Sequence, residues 1–373
     1  MTIQPFKLER FLNIHEFSAK YLLCSSDCEA MSIGDLLKLE DGAGEKFQNH
    51  WLGYTETKGN PELRQDISKI YNTISFDKIL VFAAAQEPIF LFCHAVLKPE
   101  DEVIVQFPCY QSLQSIPESM GCKVINWTVK YNKNKPNFDV EELARIITNK
   151  TRVILLNSPH NPTGHHFSKE EQTAIIELAR KHNCIIFCDE VYRELEHSLE
   201  FAIPAFADVY ENGFSLGVMS KSYGLGGLRI GWIATHRHDI LEQIGILKEY
   251  TTICSSAPSE FLAGVAIRNR GVILKRNLEI VHTNIPLLNT FFENYSDLFS
   301  WYKPNAGSIS FVHMNFEMDD MTFANKVMKQ KGVLLLPGDV YDYKGYFRVG
   351  FGRKNMPEAL VKFEEFVQEN LLK

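Results

Sequence analysis

Seven short runs of apolar and β-branched residues alternate with helical segments through the middle of the chain, and this alternation restricts the fold more than any other feature. The segment 168–182 illustrates the helical intervals, because Ser168 is followed by Glu171 as in a capping box and Ile175 and Leu178 supply a buried stripe. Strands that alternate with helices favour a largely parallel, helix-covered sheet. We therefore predict an α/β fold whose mostly parallel seven-stranded sheet is flanked by helices, with strands at residues 79–82, 102–106, 123–127, 153–157, 184–189, 214–220 and 232–234.

The pattern changes after residue 234, where long helical segments are followed by short strands. Helices are predicted at residues 237–250, 259–292 and 357–371, and strands at 308–314, 332–336 and 346–351. These elements predict a smaller α+β domain. Residues before about 52 have neither periodicity, and we expect an arm that packs on the smaller domain or on a partner subunit. The predicted division is an N-terminal arm with part of the small domain at 1–51, a large α/β domain at 52–255 and a C-terminal small α+β domain at 256–373.

The charge and the apolar content argue against several classes of partner. With 39 basic and 46 acidic residues the formal net charge is −7, and no run of five like charges occurs. Neither a nucleic-acid-binding surface nor a polybasic membrane patch is therefore expected. No apolar window approaches the roughly 18 residues of a membrane span, and the N-terminus lacks the apolar core of a signal peptide. We predict a cytoplasmic protein with small-molecule partners, no nucleic acid and no membrane.

Eight cysteines in 373 residues are too few for a disulfide scaffold, and no C-x-x-C occurs. Cys184 and Cys188 flank an apolar run and are expected in the core. Cys24 and Cys28 lie in a polar segment, where loop packing is favoured over metal binding because no nearby histidine pair completes a ligand set. We predict reduced thiols and no metal site.

A lysine followed by a glycine-rich segment is the strongest chemical signal. Lys221 follows a predicted strand and precedes Gly224, and the glycines after it fit neither the dinucleotide-binding pattern nor the P-loop pattern. A lysine at a strand end near a second cation, such as Arg229, can have its pKa lowered enough to act as an amine nucleophile toward an aldehyde. Taken alone, the segment fits a solvated surface lysine better.

Four segments together resemble the signatures of fold-type I pyridoxal-phosphate enzymes. Residues 220–231 match the lysine signature S-K-x-[YF]-G-L-x-G-x-R-[IL]-G almost completely. Three further signatures appear in the order typical of the family, at residues 157–164, 184–192 and 347–351. The similarity to class I/II aminotransferases extends from about residue 52 to the end of the chain. It implies an aspartate-aminotransferase-like homodimer that moves an amino group between an L-amino acid and a 2-oxo acid.

The resemblance implies a role for each residue that matches a motif. Lys221 would carry pyridoxal 5′-phosphate as a Schiff base and act as the general base at the substrate Cα. Asp189 would keep the ring nitrogen protonated, which makes the cofactor an electron sink. The other implied cofactor contacts are Asn161 and Tyr192 at the ring hydroxyl oxygen, Tyr110 on the ring face, Tyr54 from the neighbouring subunit, and Ala84, Ala85, Gln86, Ser220 and Arg229 at the phosphate. Without the resemblance, Asp189 is more typical of a helix cap or a turn.

The substrate contacts implied are Arg348, Asn161 and Ser26. Arg348 would hold the α-carboxylate, because a planar guanidinium binds a carboxylate through two N–H groups; the alternative is an ordinary strand-edge arginine. The chain departs from the family where Ala84 replaces the common glycine and Val218 replaces a serine or threonine. One phosphate contact is therefore expected to be missing or supplied by other residues.

Two other functions fit parts of the sequence. Residues 6–10 and 21–29 resemble the N-termini of capreomycidine-synthase-like enzymes, which use the same cofactor to eliminate at Cβ and close a ring on an arginine-derived substrate. A non-catalytic pyridoxal-phosphate-binding sensor is the second alternative. It is disfavoured because such regulators carry an added basic helix-turn-helix domain, for which this acidic chain has no spare length.

Overall fold

The computed structural model describes residues 2–372. Its strands are β1 (Tyr21–Leu22), β2 (Ile79–Phe82), β3 (Glu102–Phe107), β4 (Lys123–Thr128), β5 (Lys130–Asn132), β6 (Lys135–Asn137), β7 (Thr151–Asn157), β8 (Ile185–Asp189), β9 (Gly213–Val218), β10 (Gly231–Thr235), β11 (Phe299–Ser300), β12 (Ile309–Met314), β13 (Val333–Leu334), β14 (Leu336–Pro337) and β15 (Tyr346–Gly350).

The α-helices are α1 (Lys7–His15), α2 (Ile33–Leu37), α3 (Ala43–Gln48), α4 (Pro61–Ser68), α5 (Gln86–Val96), α6 (Ser112–Ser119), α7 (Val140–Ile146), α8 (Lys169–Lys181), α9 (Phe206–Val209), α10 (His238–Lys248), α11 (Ala257–Arg268), α12 (Arg270–Asn294), α13 (Asp320–Lys331) and α14 (Met356–Asn370). Short 3₁₀ helices occur at Phe76–Lys78, Leu199–Phe201, Gly226–Leu228 and Gly338–Tyr341. Among the described residues, none of these helices is both long enough and apolar enough to span a membrane.

The seven-stranded sheet predicted from the sequence is confirmed. Its strands lie in the order β2, β10, β9, β8, β7, β3 and β4, and only β10 is antiparallel to its neighbours. Val153 and Leu155 of β7 face the core formed with α5, α6 and α10, whereas Ile154 and Leu156 face the core formed with α7 and α8. Helices thus cover both faces, which explains why the runs are apolar at successive positions.

The loops that carry the predicted site residues open at one edge of this sheet. Strands β2, β3, β7, β8 and β9 all end there, and the antiparallel β10 begins there. β9 ends at Val218, two residues earlier than predicted, because the chain turns after Met219, whose carbonyl accepts a hydrogen bond from the amide of Leu225 at 2.8 Å. Lys221 therefore lies in the loop between β9 and β10. The carboxyl ends of parallel strands are the usual ligand side of such sheets.

A second apolar core lies around the antiparallel sheet formed by β11, β12, β15 and β14 in that order. Helices α12, α13 and α14 contribute Leu288, Phe323 and Phe363 to this core. The predicted helix 259–292 is interrupted at Asn269, whose side-chain amide donates to the carbonyl of Val265 at 2.8 Å, so that α11 and α12 are separate helices.

The residues before about 52, in which neither periodicity was recognised, contain regular structure. Helix α1 buries Leu8 and Phe11 in the same core as Leu288 of α12, and β1 pairs in parallel with β13. The signal was available, since Leu8, Phe11 and Leu12 have the three- and four-residue spacing of one helix face. The division of the chain at residues 52 and 256 stays a prediction.

Candidate active site

A cavity of about 1070 Å³ opens at the carboxyl edge of the seven-stranded sheet. It brings together side chains that are far apart in sequence, from the N-terminal segment to β15. The predicted residues that line it are Ser26, Ala84, Ala85, Gln86, Tyr110, Asn161, Asp189, Tyr192, Ser220, Lys221, Arg229 and Arg348. Tyr54 does not line it and is 89% exposed.

Lys221 extends from the loop after β9 toward the N-terminal segment. Its Nζ donates to the hydroxyl of Ser26 at 2.9 Å. Burial lowers the pKa of Lys221; the carboxylate of Asp27 opposes this shift, and the guanidinium of Arg348 adds to it. The expectation that Arg229 is the second cation is wrong. Arg229 has a positive φ of 54°, is exposed, and donates back to the carbonyl of Gly226 at 3.1 Å.

Asp189 is the last residue of β8 and is buried at the bottom of the cavity. Burial raises the pKa of its carboxyl group to about 7, against the opposing effects of the Val191 amide, which donates to it at 3.2 Å, and of Lys221. The side chain of Asn157 fixes the end of this strand by donating to the Asp189 carbonyl at 2.7 Å. A cation placed against this buried carboxyl group would favour its ionised form.

The buried guanidinium of Arg348 is held from two sides. Its Nε and Nη2 donate to the carbonyl of Cys24 at 3.2 and 2.8 Å. Its Nη1 donates to Asn161 Oδ1 at 3.0 Å and to the hydroxyl of Tyr341 at 2.6 Å, and that hydroxyl donates to Asn161 Oδ1 at 2.9 Å. Because arginine has donors only, the Asn161 atom that faces it is the oxygen. The amide NH₂ of Asn161 is thereby left as a donor.

The hydroxyl of Tyr192 is buried near the side chain of Ser26, and within residues 2–372 no partner meets both the distance and the angle of a hydrogen bond with it. Burial raises the pKa of this hydroxyl group. A buried polar atom without a partner costs free energy unless a ligand satisfies it. Since Tyr192 lines the cavity, a bound group is the natural partner.

The first turn of α5 offers backbone N–H groups to an anion at another part of the cavity. Ala84 precedes this helix with a positive φ of 63°, the conformation that glycine adopts most easily, which explains the family's usual glycine here. The carboxylate of Glu87 accepts a hydrogen bond from the amide of Ala83 at 2.8 Å. The side-chain oxygen of Gln86 accepts a hydrogen bond from the hydroxyl of Ser112 at 2.6 Å. The side chain of Val218 is buried and apolar and offers no donor.

These residues fit pyridoxal 5′-phosphate. Lys221 supplies an amine, Asp189 a carboxyl group for a ring nitrogen, Tyr192 and Asn161 donors for a ring hydroxyl oxygen, and the start of α5 donors for a phosphate. Each of these groups lines the same cavity.

Comparison with known proteins agrees with this fit. The sequence profile of aminotransferase class I and II matches residues 21–363. The chain belongs to this family. A probable aspartate aminotransferase of Methanocaldococcus jannaschii is 28% identical over 89% of this chain and 91% of its own length. Capreomycidine synthase of Streptomyces vinaceus is 23% identical over 96% and 92%. The crystal structure of a PLP-dependent aminotransferase from Streptococcus suis has a TM-score of 0.92, 30% identity and 99% coverage of both chains.

The protein is therefore a PLP-dependent aminotransferase, and pyridoxal 5′-phosphate is its cofactor. This confirms the enzyme class and the cofactor predicted from the sequence. The roles of individual residues stay predictions.

Several cavity residues of this aminotransferase were not identified from the sequence. Glu9 and Glu16 line the cavity from α1 and the turn after it, and the hydroxyl of Tyr110 donates to Glu9 Oε1 at 3.2 Å. Burial raises the pKa of Glu16, and Asp27 and Glu9 add to the shift. Tyr341, which contacts Asn161 and Arg348 but does not itself line the cavity, was also missed, because it belongs to none of the family signatures. Recognising α1 as a helix would have been the first step toward finding Glu9.

All eight cysteines are free thiols, and Cys24, Cys28, Cys184 and Cys188 are buried. No group of three or more potential metal-binding side chains occurs among residues 2–372. Cys24 contributes through its main chain, whose carbonyl holds Arg348.

Proposed function

We propose that this aminotransferase exchanges amino groups between L-amino acids and 2-oxo acids in the cavity around Lys221. The observation that carries this proposal is the convergence of an amine (Lys221), a buried carboxyl group (Asp189) and a buried guanidinium (Arg348) on one cavity. These are the three groups that amino-acid chemistry at an aldehyde cofactor requires.

Each residue then has a defined task. When bound, pyridoxal 5′-phosphate supplies an electron sink for the bond broken at the substrate Cα. Lys221 would take up the proton from the substrate Cα, since burial favours its neutral, basic form. Asp189 would hold the ring nitrogen of the cofactor protonated, and Asn161 and Tyr192 would donate to its ring hydroxyl oxygen. Arg348 orients the substrate through its carboxylate.

The remaining contacts position the cofactor. Tyr110, whose ring lies 5.1 Å from that of Phe6, would cover one face of the cofactor ring. The backbone at Ala84, Ala85 and Gln86, together with Ser220 and Arg229, would hold the phosphate. Ser26 contacts Lys221 directly and lies where the substrate must approach.

We infer that the enzyme is a homodimer in which Tyr54 completes the partner's site. Trp51, Leu52 and Tyr54 are 79–89% exposed, and Tyr250 is 86% exposed. Thr55 Oγ1 donates to the carbonyl of Ser255 at 3.2 Å, which holds the two exposed segments side by side. A cluster of exposed aromatic side chains is typical of a protein interface.

We also place the enzyme in the cytoplasm. The eight free thiols support this location, because thiols persist in reducing compartments.

A second candidate function is chemistry on an arginine-derived substrate. Glu9, Glu16 and Asp27 place carboxylates around the cavity, and a cationic side chain would be favoured there over the second carboxylate of aspartate. Asp27 is paired with Arg353 at 2.6 Å, which leaves Glu9 and Glu16 as the more available anions. The similarity to capreomycidine synthase favours the same class of substrate.

Two experiments test the site and then separate the two functions. The purified protein is expected to be yellow, and borohydride should fix the cofactor on Lys221, whereas Lys221→Ala should bind cofactor without a reducible covalent link. Fixation on another lysine would overturn the assignment of the site.

Single turnover with aspartate, alanine, arginine and hydroxylated arginine, followed by product analysis, then separates the two chemistries. Keto acids indicate transamination, and cyclised or eliminated products indicate the second candidate.

A further inference from the structure

Tyr341 contacts two of the predicted site residues although no motif identifies it. Its side chain is 4% exposed and ends the 3₁₀ helix Gly338–Tyr341. Its hydroxyl accepts from Arg348 Nη1 at 2.6 Å and donates to Asn161 Oδ1 at 2.9 Å. The ring packs edge-on against Phe311, with 5.8 Å between the centroids. Packing of the ring therefore fixes where the hydroxyl lies.

The contacts of Arg348 limit how it can bind a substrate. A guanidinium has five N–H groups, and the carbonyl of Cys24, Asn161 and Tyr341 together take four hydrogen bonds from it. A carboxylate that binds with both oxygens needs two N–H groups. Only one hydrogen, on Nη2, has no acceptor within residues 2–372. If the Cys24 contacts persist, Nη1 must give up Asn161 or Tyr341.

Loss of the Nη1 contact would leave the Asn161 side chain less constrained. An amide group is nearly symmetric in shape, so rotation by half a turn exchanges its oxygen and its NH₂. After that rotation the oxygen would face the ring hydroxyl oxygen of the cofactor, and two acceptors would be opposed. The O–H of Tyr341 prevents the rotation as long as it donates to Asn161 Oδ1.

We propose that Tyr341 is a positioning residue that keeps the Asn161 NH₂ directed at the cofactor while Arg348 engages the substrate carboxylate. The inference rests on the proposed function of this site. It assigns Tyr341 a role that depends on the state of the site, because the hydroxyl is needed most when a carboxylate occupies Arg348. Without a carboxylate, Arg348 itself holds the asparagine oxygen.

The test compares the loaded wild-type enzyme with Tyr341→Phe, which removes only the hydroxyl. Tyr343→Phe is the matched control, since Tyr343 packs on the same Phe311 ring and, within residues 2–372, its hydroxyl forms no hydrogen bond with Arg348 or Asn161. The pH midpoint of the visible absorption of the bound cofactor is measured with and without saturating propionate. Single turnover is measured with L-alanine and with ethylamine, which differ only by the carboxylate.

We expect the midpoints of Tyr341→Phe and wild type to agree closely without propionate. With propionate, the midpoint of the variant should lie higher by about half to one pH unit, because a lost donor no longer stabilises the deprotonated ring oxygen. The single-turnover rate should fall about 5- to 50-fold with L-alanine and stay unchanged with ethylamine.

Equal behaviour of Tyr341→Phe and wild type with L-alanine would overturn the inference, whatever propionate does. An equal fall in the single-turnover rate with L-alanine and with ethylamine would assign Tyr341 to general support of the fold. That result would overturn the inference as well. Neither result touches the assignment of Lys221, which the borohydride experiment tests separately. A failure of the proposed function would instead appear as absence of the visible cofactor band in the wild-type enzyme.

Discussion

The residues around the cavity combine charges that are costly to bury alone. Asp189 and Arg348 are both at most 5% exposed. Burial holds the pKa of Asp189 at about 7, so that near neutral pH a nearby cation decides whether this group is ionised. A protonated ring nitrogen would supply that cation. Arg348 avoids the cost of burial through its hydrogen bonds to Cys24, Asn161 and Tyr341.

Replacing Arg348 with lysine should separate binding of the carboxylate from binding of the cofactor. A lysine keeps the charge but cannot bind a carboxylate through two N–H groups, so the transition state for an amino acid should lose about 2–3 kcal/mol of stabilisation. The value of kcat/KM should therefore fall on the order of 30- to 150-fold. Steady-state kinetics and cofactor titration measure the two effects, and the cofactor affinity should hardly change. The slow reaction of ethylamine is the control. If the rate with ethylamine falls as much as the rate with the amino acid, or if the melting temperature of the protein is markedly lower, Arg348 supports the fold instead.

At the residue level, the sequence was informative where a motif fixes a type of side chain at a strand end. Lys221, Asp189 and Arg348 all line the predicted site. It was uninformative about contacts between distant segments. The cation that helps to lower the pKa of Lys221 is Arg348, 127 positions away, rather than Arg229, because the αL conformation of Arg229 turns its side chain back on its own loop.

At the level of elements, the central strands were predictable because both of their faces are buried. Each predicted run overlaps an observed strand, with ends displaced by two residues or fewer. The irregular connections were not predictable. The segment from Leu23 to Glu29 packs against β15 without regular structure, and only its tertiary hydrogen bonds, such as that from Gly350 N to the carbonyl of Leu23 at 2.7 Å, define its path.

The close packing of this segment on β15 makes Gly350 a sensitive position. A Cβ atom there would lie 1.7 Å from the carbonyl oxygen of Ser25, so Gly350→Ala must displace the segment that carries Ser26. We expect a loss of about 1–3 kcal/mol in the free energy of unfolding, measured with urea, and a larger relative loss of activity. Gly245→Ala in α10 is the control, since nothing lies within 4 Å of its added Cβ, and it should be neutral or stabilising. Normal activity of Gly350→Ala would contradict a role for this contact in catalysis.

At the level of the whole molecule, the predicted contact of Tyr54 with the cofactor phosphate cannot form within one chain. Tyr54 lies on the surface, outside the cavity of its own chain, beside other exposed apolar side chains. The segment that carries Tyr54 is held on its inner side by the buried Lys248, which donates a hydrogen bond to the carbonyl of Thr57 at 2.8 Å. An exposed aromatic residue on an anchored segment is suited to enter a neighbouring subunit. In the proposed homodimer this contact would form only between two copies, so the sequence of one chain does not contain its geometry.

Complementation between inactive chains should reveal such a shared site. Tyr54→Phe is expected to lower activity about ten-fold or more through a lost hydrogen bond to the phosphate, and Lys221→Ala should abolish it. A heterodimer of the two has one intact site, with Lys221 from one chain and Tyr54 from the other. Random mixing should therefore restore about a quarter of the wild-type activity, because half of the dimers are mixed and each has one of two sites intact. Mixing Lys221→Ala with Asp189→Asn is the control: both residues belong to the site of one chain, and re-pairing cannot rebuild it. A fully active monomer in sedimentation, or equal recovery in both mixtures, would rule out a composite site.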